Sequence, residues 1–286
     1  MRLKKILAFL FFLTLCSQNA FALVDFSDTK KEKHITATGF IDYPPYGYSF
    51  KTTSPKSQQV RIVYESVFEE LLSDFGKENN TSIEYITPSK RSYNDRIHDV
   101  RSGNIDILLG MYHDTKSYEG IDYVIPALIT NPITLMTLPN KRGKINSLED
   151  VKKLHGAILE KEILSDFVVQ ELKNYDIEKI KEPNELFRKL FTGEIDYVFI
   201  GYYNGIIEAS KLGLRRKVAF SKQIIWDMPL FIGVSKVSEN RNFLIARLGK
   251  YSEQAEVQKK FKKYLLNIIH KFESINDTIT PPIYTK

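Results

Sequence analysis

The sequence predicts an α/β protein built as two similar lobes, and three observations carry that prediction. The phrase GNIDILLG at residues 103–110 recurs as GEIDYVFIG at residues 193–201, about 90 residues further on. Each copy follows an amphipathic stretch of helical period and opens with a glycine, which caps a helix in the left-handed region without a Cβ clash. Each then passes through isoleucine and aspartate into an apolar run of the kind that forms a strand buried on both faces. Two such units direct two strand ends at a shared crevice, where open α/β sheets bind their ligands.

The N-terminus reads as an export signal. Arg2, Lys4 and Lys5 precede an apolar run over residues 6–15, and Ala20 and Ala22 stand at the positions a signal peptidase reads. A signal peptide over residues 1–22 is expected, since the run is too short to cross a bilayer. Cys16, the only cysteine, follows Leu15 where a lipoprotein signal needs a small residue, so lipid anchoring is disfavoured. A soluble, periplasmic and monomeric product without thiol chemistry is expected. Loss of the leader lowers the net charge from +6 to about +3. The remaining charges are interspersed, and the lysine clusters at 30–33 and 259–263 read as solvated surface. No concentrated basic face suggests nucleic-acid binding. Sixteen tyrosines suit a wet cleft in which rings stack and hydroxyls hydrogen-bond.

Taken in order, residues 35–41 read as a buried strand, ended by the loop Tyr43-Pro44-Pro45-Tyr46-Gly47. After a polar connection at 54–59, Val60, Val63, Tyr64, Val67, Phe68, Leu71, Leu72 and Phe75 form a helical stripe stopped by Gly76. A strand at 82–86 and a helix over 93–101 lead into the first repeat strand. From Tyr123 the chain turns extended, with β-prone residues 129–130 and 133–138 on either side of Asn131-Pro132, as a crossover into a second lobe requires. Ser147 and Asp150 have capping-box character before a short helix. A strand at 157–159, a helix from Ser165 to Leu172, a strand at 177–180 and a helix over 183–191 lead to the second repeat. Beyond Gly213 the chain is extended as far as Pro229, and a strand at 230–234 returns it to the first lobe. Helices at about 242–252 and 256–272 close the fold. Residues 274–286 read as a flexible tail.

This order of elements resembles the extracytoplasmic solute-binding proteins of family 3, whose best-known members feed amino acids to ABC importers. The resemblance spans residues 35 to 272 or so. It rests on Tyr43-Pro44-Pro45-Tyr46, Gly103 to Asp106, Ile121-Asp122-Tyr123, Ile145 to Asp150 and Gly193 to Asp196. It implies the type 2 periplasmic-binding-protein fold, with two hinge strands joining the lobes and closure on a ligand by hinge rotation. Lobe 1 would comprise residues 33–129 and 227–273, and lobe 2 residues 130–226. The implied partners are a small solute and the permease of an ABC importer, with no cofactor and no catalysis.

Two departures bear on the ligand. Members that bind amino acids carry an arginine a few residues before the segment matching Asp122-Tyr123. It clamps the ligand carboxylate in a bidentate fork. Ser117 stands there in this chain, with Lys116 beside it. Those members also end the second repeat strand on an aspartate that holds the ligand's ammonium, and here Gly201 takes that place, followed by Tyr202 and Tyr203. On this reading both halves of a zwitterion clamp are missing, which disfavours an ordinary α-amino acid.

Several residues could line the cleft instead. Tyr43 and Tyr46 stand where the family stacks rings on its ligand, or else they pack a proline-rich turn. Arg91 is a substitute anion contact or a surface ion pair. Tyr112, His113 and Asp114 follow the first repeat strand, and His113 could exchange a proton near neutral pH. Thr130 and Asn131 fall on the crossover. Lys161 and Ser165 precede a second-lobe helix whose free amides could receive an anion, although Glu160 and Glu162 argue against a strong anion site. Trp226, beside Asp227, is a cleft wall or a hinge core residue.

The five histidines show no metal-ligand spacing, and no nucleophile elbow or phosphate-cradling glycine loop is present. A sensory role on a membrane receptor is the alternative to transport. A dehydratase-like enzyme using Asp114 or His113 is a third possibility.

Overall fold

Strands and helices alternate through most of the chain. β1 (Lys33–Thr38) leads into a small antiparallel meander of β2 (Asp42–Tyr43), β3 (Gly47–Thr53) and β4 (Val60–Glu65). Next come α1 (Val67–Asn79), β5 (Thr81–Tyr85), α2 (Tyr93–Arg101), β6 (Ile107–Met111) and β7 (Ile121–Tyr123). The nine-residue β8 (Ile129–Thr137) carries the chain into a second series. That series runs α3 (Leu148–Val151), β9 (Gly156–Leu159), α4 (Asp166–Glu171), β10 (Ile177–Ile180), α5 (Pro183–Thr192), β11 (Tyr197–Gly201), α6 (Tyr202–Lys211) and β12 (Ala219–Phe220). β13 (Trp226–Ser235) returns the chain, and α7 (Arg241–Ser252) and α8 (Ala255–Ile275) follow. This computed structural model describes residues 32–40, 42–53, 60–86, 92–113, 118–162 and 164–275. The leader with Cys16, the connection at 54–59, Arg91, Asp114, Lys116, Ser117 and the tail beyond 275 lie outside the described residues.

One sheet runs through the molecule in the order β10-β9-β11-β8-β13-β6-β1-β5, with β12 on β8 and β7 on β13. β1 lies parallel to β6, while β9 lies parallel to both β10 and β11. Between these parallel groups stand β8 and β13, antiparallel to each other from Ile133↔Trp226 to Ile129↔Leu230. The far end of β8 pairs β11, and the far end of β13 pairs β6 and β7. Two continuous strands therefore join the two halves. Both repeat strands, β6 and β11, are buried along their whole length, as their apolar runs require.

The repeat phrase does in the structure what its residues dictate. Gly103 and Gly193 sit at φ +80° and +76°, just beyond the helices α2 and α5. The aspartate three residues later ties each strand to its parallel neighbour. Asp106 accepts hydrogen bonds from the Thr36 amide and hydroxyl at 2.9 and 3.1 Å. Asp196 accepts from the His155 amide at 3.2 Å, just ahead of β9, and takes the Lys141 ammonium at 2.6 Å.

Two local expectations are corrected, and one element is added. The helical stripe does not begin at Val60. Residues Val60–Glu65 form β4, paired residue for residue with β3. The segment is rich in β-branched residues, which favour a pleated strand wherever a partner edge is available. The helix begins only after Ser66, whose hydroxyl accepts the Phe68 amide. The helix also passes through Gly76, where the Thr81 carbonyl comes close enough to exclude a Cβ, and ends with Asn80 in the left-handed region. Residues 202–211 also form a helix, α6, which the sequence pattern does not announce. Asn204 and Gly205 are poor helix formers, yet residues Asn204 to Ser210 are all buried, so tertiary packing outweighs propensity.

Candidate functional site

Five segments meet at the carboxyl ends of the parallel strands, four of them bringing polar side chains and the fifth a glycine. Tyr43 and Tyr46 follow β1, Tyr112 follows β6, Glu162 follows β9, Gly201 ends β11, and Asn131 lies on β8. Tyr43, Tyr46, Tyr112 and Asn131 are each no more than 1% exposed.

The loop after β1 is folded by its own chemistry. The Tyr46 amide donates to the Tyr43 carbonyl at 3.0 Å, closing a turn around the two prolines. The Ser66 hydroxyl donates to the Tyr46 carbonyl while capping α1, which fixes the loop to that helix. The two rings stack with centroids 5.8 Å apart and planes inclined by 19°.

Asn131 links the rings. Its Nδ2 donates to the Tyr43 and Tyr112 hydroxyls, both at 2.9 Å. The Tyr46 hydroxyl lies 3.1 Å from the Thr130 carbonyl oxygen and 3.4 Å from Asn131 Oδ1. An asparagine buried on a joining strand, with both ends of its amide engaged, fixes which way three phenols point.

Glu162 completes the cluster from the other half of the sheet. Its Oε1 accepts the Tyr43 hydroxyl and the Gly201 amide, the latter at 2.8 Å, and its Oε2 accepts Asn204 Nδ2 at 3.3 Å. Burial raises the carboxyl to about 7, although these donors and the Lys161 ammonium pull the other way. Burial and the facing Glu162 charge together push the Tyr43 phenol well above 10, so Tyr43 is a hydrogen-bond donor at neutral pH. Sequence reasoning weighed Glu162 only as an objection to an anion site. Its one signal was its position, three residues beyond a buried strand.

Gly201 has a steric reason to be glycine. A Cβ there would lie 2.8 Å from Asn131 Oδ1, 2.8 Å from the Tyr43 hydroxyl oxygen and 3.1 Å from Glu162 Oε1. The missing side chain leaves room for three oxygens from three segments. Gly201 stands where the resemblance places an aspartate, and Glu162 brings a carboxylate to the same strand end from a different point in the chain.

The other predicted residues are placed as follows. Lys161 bridges the halves, 3.2 Å from Glu208 on α6 and 3.5 Å from Asp42 on β2. Ser165 is buried as the N-cap of α4, accepting from the Val168 amide at 3.4 Å. His113 is exposed, with its ring 4.9 Å from Tyr123 and 5.8 Å from Phe231. Tyr202 packs its ring against Tyr203 and Phe220. Trp226 lies against Phe199 at 5.4 Å. A cavity of about 440 Å³ brings Tyr112, His113, Ser165 and Trp226 to one lining together with Asp227 and Phe231. A second cavity, about 320 Å³, lies beside β9 and α4 and is lined by Leu164, Val169, Lys173 and Tyr175. Among the described residues no cluster of histidine and carboxylate groups is arranged to hold a metal, and no helix is long and apolar enough to cross a membrane.

No protein-family model matches the chain, and no curated protein matches it. Solved structures do. An amino-acid ABC-transporter substrate-binding protein from Streptococcus pneumoniae, bound to L-arginine, is 16% identical with a TM-score of 0.58 and covers 86% of this chain and 95% of its own. A histidine kinase sensor domain with similarity to periplasmic binding proteins is 17% identical with a TM-score of 0.58, covering 88% and 100%. An ancestral amino-acid-binding protein, a precursor of cyclohexadienyl dehydratase, is 17% identical with a TM-score of 0.59, covering 82% and 95%. The fold is that of the two-lobed periplasmic binding proteins.

Proposed function

We propose that the protein binds a small polar solute between its two lobes and delivers it to the permease of an ABC importer. The observation that carries this reading is the buried network of Tyr43, Asn131 and Glu162, which draws on both halves of the sheet and on a strand joining them. A solute entering there touches both lobes at once, and only a ligand with differential affinity for the closed state can shift the balance toward closure. The lobes divide at the crossing strands, with residues 33–129 and 227–273 in one and 130–226 in the other. Tyr43, Tyr46, Tyr112, Asn131 and Glu162 form the contact set, and Arg91, Lys116 and Ser117 remain candidates from the sequence. The leader at residues 1–22 directs the chain to the periplasm, where it acts as a monomer without a cofactor.

A sensory role is the second reading, favoured by the sensor domain that this chain spans along its full length. The partner would then be a membrane receptor, with the same site and the same closure.

A thermal-shift screen of the mature chain against anionic, zwitterionic, cationic and uncharged metabolites tests the common premise. At least one solute is expected to raise the melting temperature in a saturable way. A chain stabilised by none of them would contradict both readings.

A further inference from the structure

Lys161 and Lys211 place their ammonium groups on the same oxygen, Oε1 of Glu208, at 3.2 and 3.4 Å. Glu208 lies on α6 and is only 4% exposed. Two like charges drawn to one buried oxygen would repel each other without the carboxylate between them. Each lysine then reaches a different part of the chain. Lys161 stands 3.5 Å from a carboxylate oxygen of Asp42 on β2. Lys211 lies over the Phe272 ring near the end of α8, 5.5 Å from its centroid, within the range of a cation–π contact. That ring packs in turn on Tyr48 of β3 at 5.1 Å.

These residues fall on both sides of the proposed lobe boundary. Asp42, Tyr48 and Phe272 belong to the two segments of lobe 1, and Lys161, Glu208 and Lys211 belong to lobe 2. The helix α8 also packs along both α1 and α6. One buried carboxylate therefore organises two contacts that cross between the lobes, at β2 on one arm and at α8 on the other. The first crossing adjoins the polar cradle at Gly201, the contact set of Tyr43, Tyr46, Tyr112, Asn131 and Glu162 named above. Asp42 and Tyr43 are successive residues, as are Lys161 and Glu162. The ion pair and the Tyr43–Glu162 hydrogen bond thus join the same two segments.

We propose that Glu208 is the hub of an interlobe clamp: it positions Lys161 and Lys211 so that both hold the lobes together before any solute arrives. This inference rests on the lobe division of the solute-binding reading and adds a residue outside its contact set. Asp42 is largely exposed, and an ion pair of that kind contributes little alone. Here the ammonium is already held by a buried carboxylate, so less side-chain freedom is lost when the lobes meet. The same holds for Lys211 over Phe272. Contacts made only in the closed arrangement raise its population, and the apparent affinity of a solute that binds the closed form scales with that population. Glu208 thereby acts on solute affinity from outside the site.

The test is double electron–electron resonance on the mature chain without solute. Spin labels are placed at Ser73→Cys on α1 and Glu185→Cys on α5, exposed positions in the two lobes, and residues 23–286 contain no cysteine of their own. The labelled wild type is expected to show one dominant distance. Glu208→Gln is expected to add a second population of comparable size, as about a tenfold change in the closed-to-open ratio implies. Lys161→Gln and Lys211→Gln, which each remove one arm, should add smaller ones. A melting temperature lowered by Glu208→Gln with an unchanged distance distribution would reduce Glu208 to a local structural residue and overturn the clamp. A wild type already spread evenly over two distances would overturn it as well. If Glu208→Gln does not fold, the double variant Asp42→Asn, Phe272→Ala decides, because it removes the far partner of each arm and leaves the hub intact; unchanged distances there would overturn the clamp. No solute enters these measurements, so their outcome is separate from the thermal-shift screen. A clamp in a chain that no solute stabilises would remove the solute-binding reading alone, and a stabilising solute without a clamp would do the reverse.

Discussion

At the base of β6, Asp106 holds the amide and hydroxyl of Thr36 within β1; at the base of β11, Asp196 holds the amide of His155 at the entrance to β9. The two contacts are equivalent, since each aspartate satisfies a backbone amide of the parallel neighbour and fixes the register of its half. The upper ends differ. β6 carries Gly110 at φ +84°, where a Cβ would lie within 2.2 Å of the Phe40 ring. β11 ends on Gly201 at an ordinary φ of −57°, where the three atoms nearest to a Cβ would be oxygens. The closing glycines stand four and five residues beyond their aspartates, and one abuts an aromatic ring while the other faces a polar cluster. The comparison separates scaffold from site: what the two copies share serves folding, and the place where they diverge is where recognition is proposed.

The largest expected effect tests the scaffold side. Gly110→Ala adds a side chain where the backbone is left-handed and the Phe40 ring is in the way, and should cost about 3 kcal/mol of unfolding free energy. Denaturant titration should show that loss, while the surviving folded fraction binds solute with unchanged affinity.

Next comes the pH dependence of stability. Glu162 is raised from the ordinary 4.5 to about 7 in the folded chain. The folded state therefore holds a proton that the unfolded state has released. The sign follows: stability is fully present below about pH 4.5 and falls as pH rises toward 7. The limit is about 3 kcal/mol for this one group. Glu162→Gln should flatten that slope in urea titrations between pH 5 and 8. An unchanged slope would remove the buried carboxyl from the account.

A paired comparison of the aspartates follows. Asp106 also accepts the Ser238 hydroxyl, so Asp106→Ala should cost about 2 kcal/mol, and Asp196→Ala, half-exposed with Lys141, about 1 kcal/mol. If only one of the two mattered, the equivalence of the lower ends would break.

At the polar end Gly201→Ala introduces no left-handed backbone strain, but its Cβ would press on the buried Asn131 and Tyr43 oxygens at 2.8 Å and should cost about 2 kcal/mol; it should also weaken solute binding more than tenfold. A Gly201→Ala chain that binds normally would show that the cradle is not the site.

The lower ends were legible in the sequence because glycine, isoleucine and aspartate each have a local reason for their place. The buried strands, the helix over 93–101 and the caps at Ser147 and Ser165 were legible for the same reason: one residue type and one short-range contact decide them. Val60–Glu65 misled because its apolar spacing fits a helix as well as a strand, and only the pairing with β3 chooses between them. The cradle was half legible. Tyr43, Tyr46, Tyr112 and Asn131 announce themselves by following strands or lying on the crossover. Glu162 does not, because its importance depends on Gly201, some 40 residues away in sequence, having no side chain to block it. That relation exists only in three dimensions.

A crystal structure of the mature chain grown with the most stabilising solute tests the central claim most directly. The account predicts solute density at the Gly201 end of β11, within hydrogen-bond distance of Glu162 and Asn131 and flanked by Tyr43 and Tyr46, with both lobes in contact. Density in the cavity beside α4 instead, with the Tyr43–Glu162 hydrogen bond still in place, would contradict it.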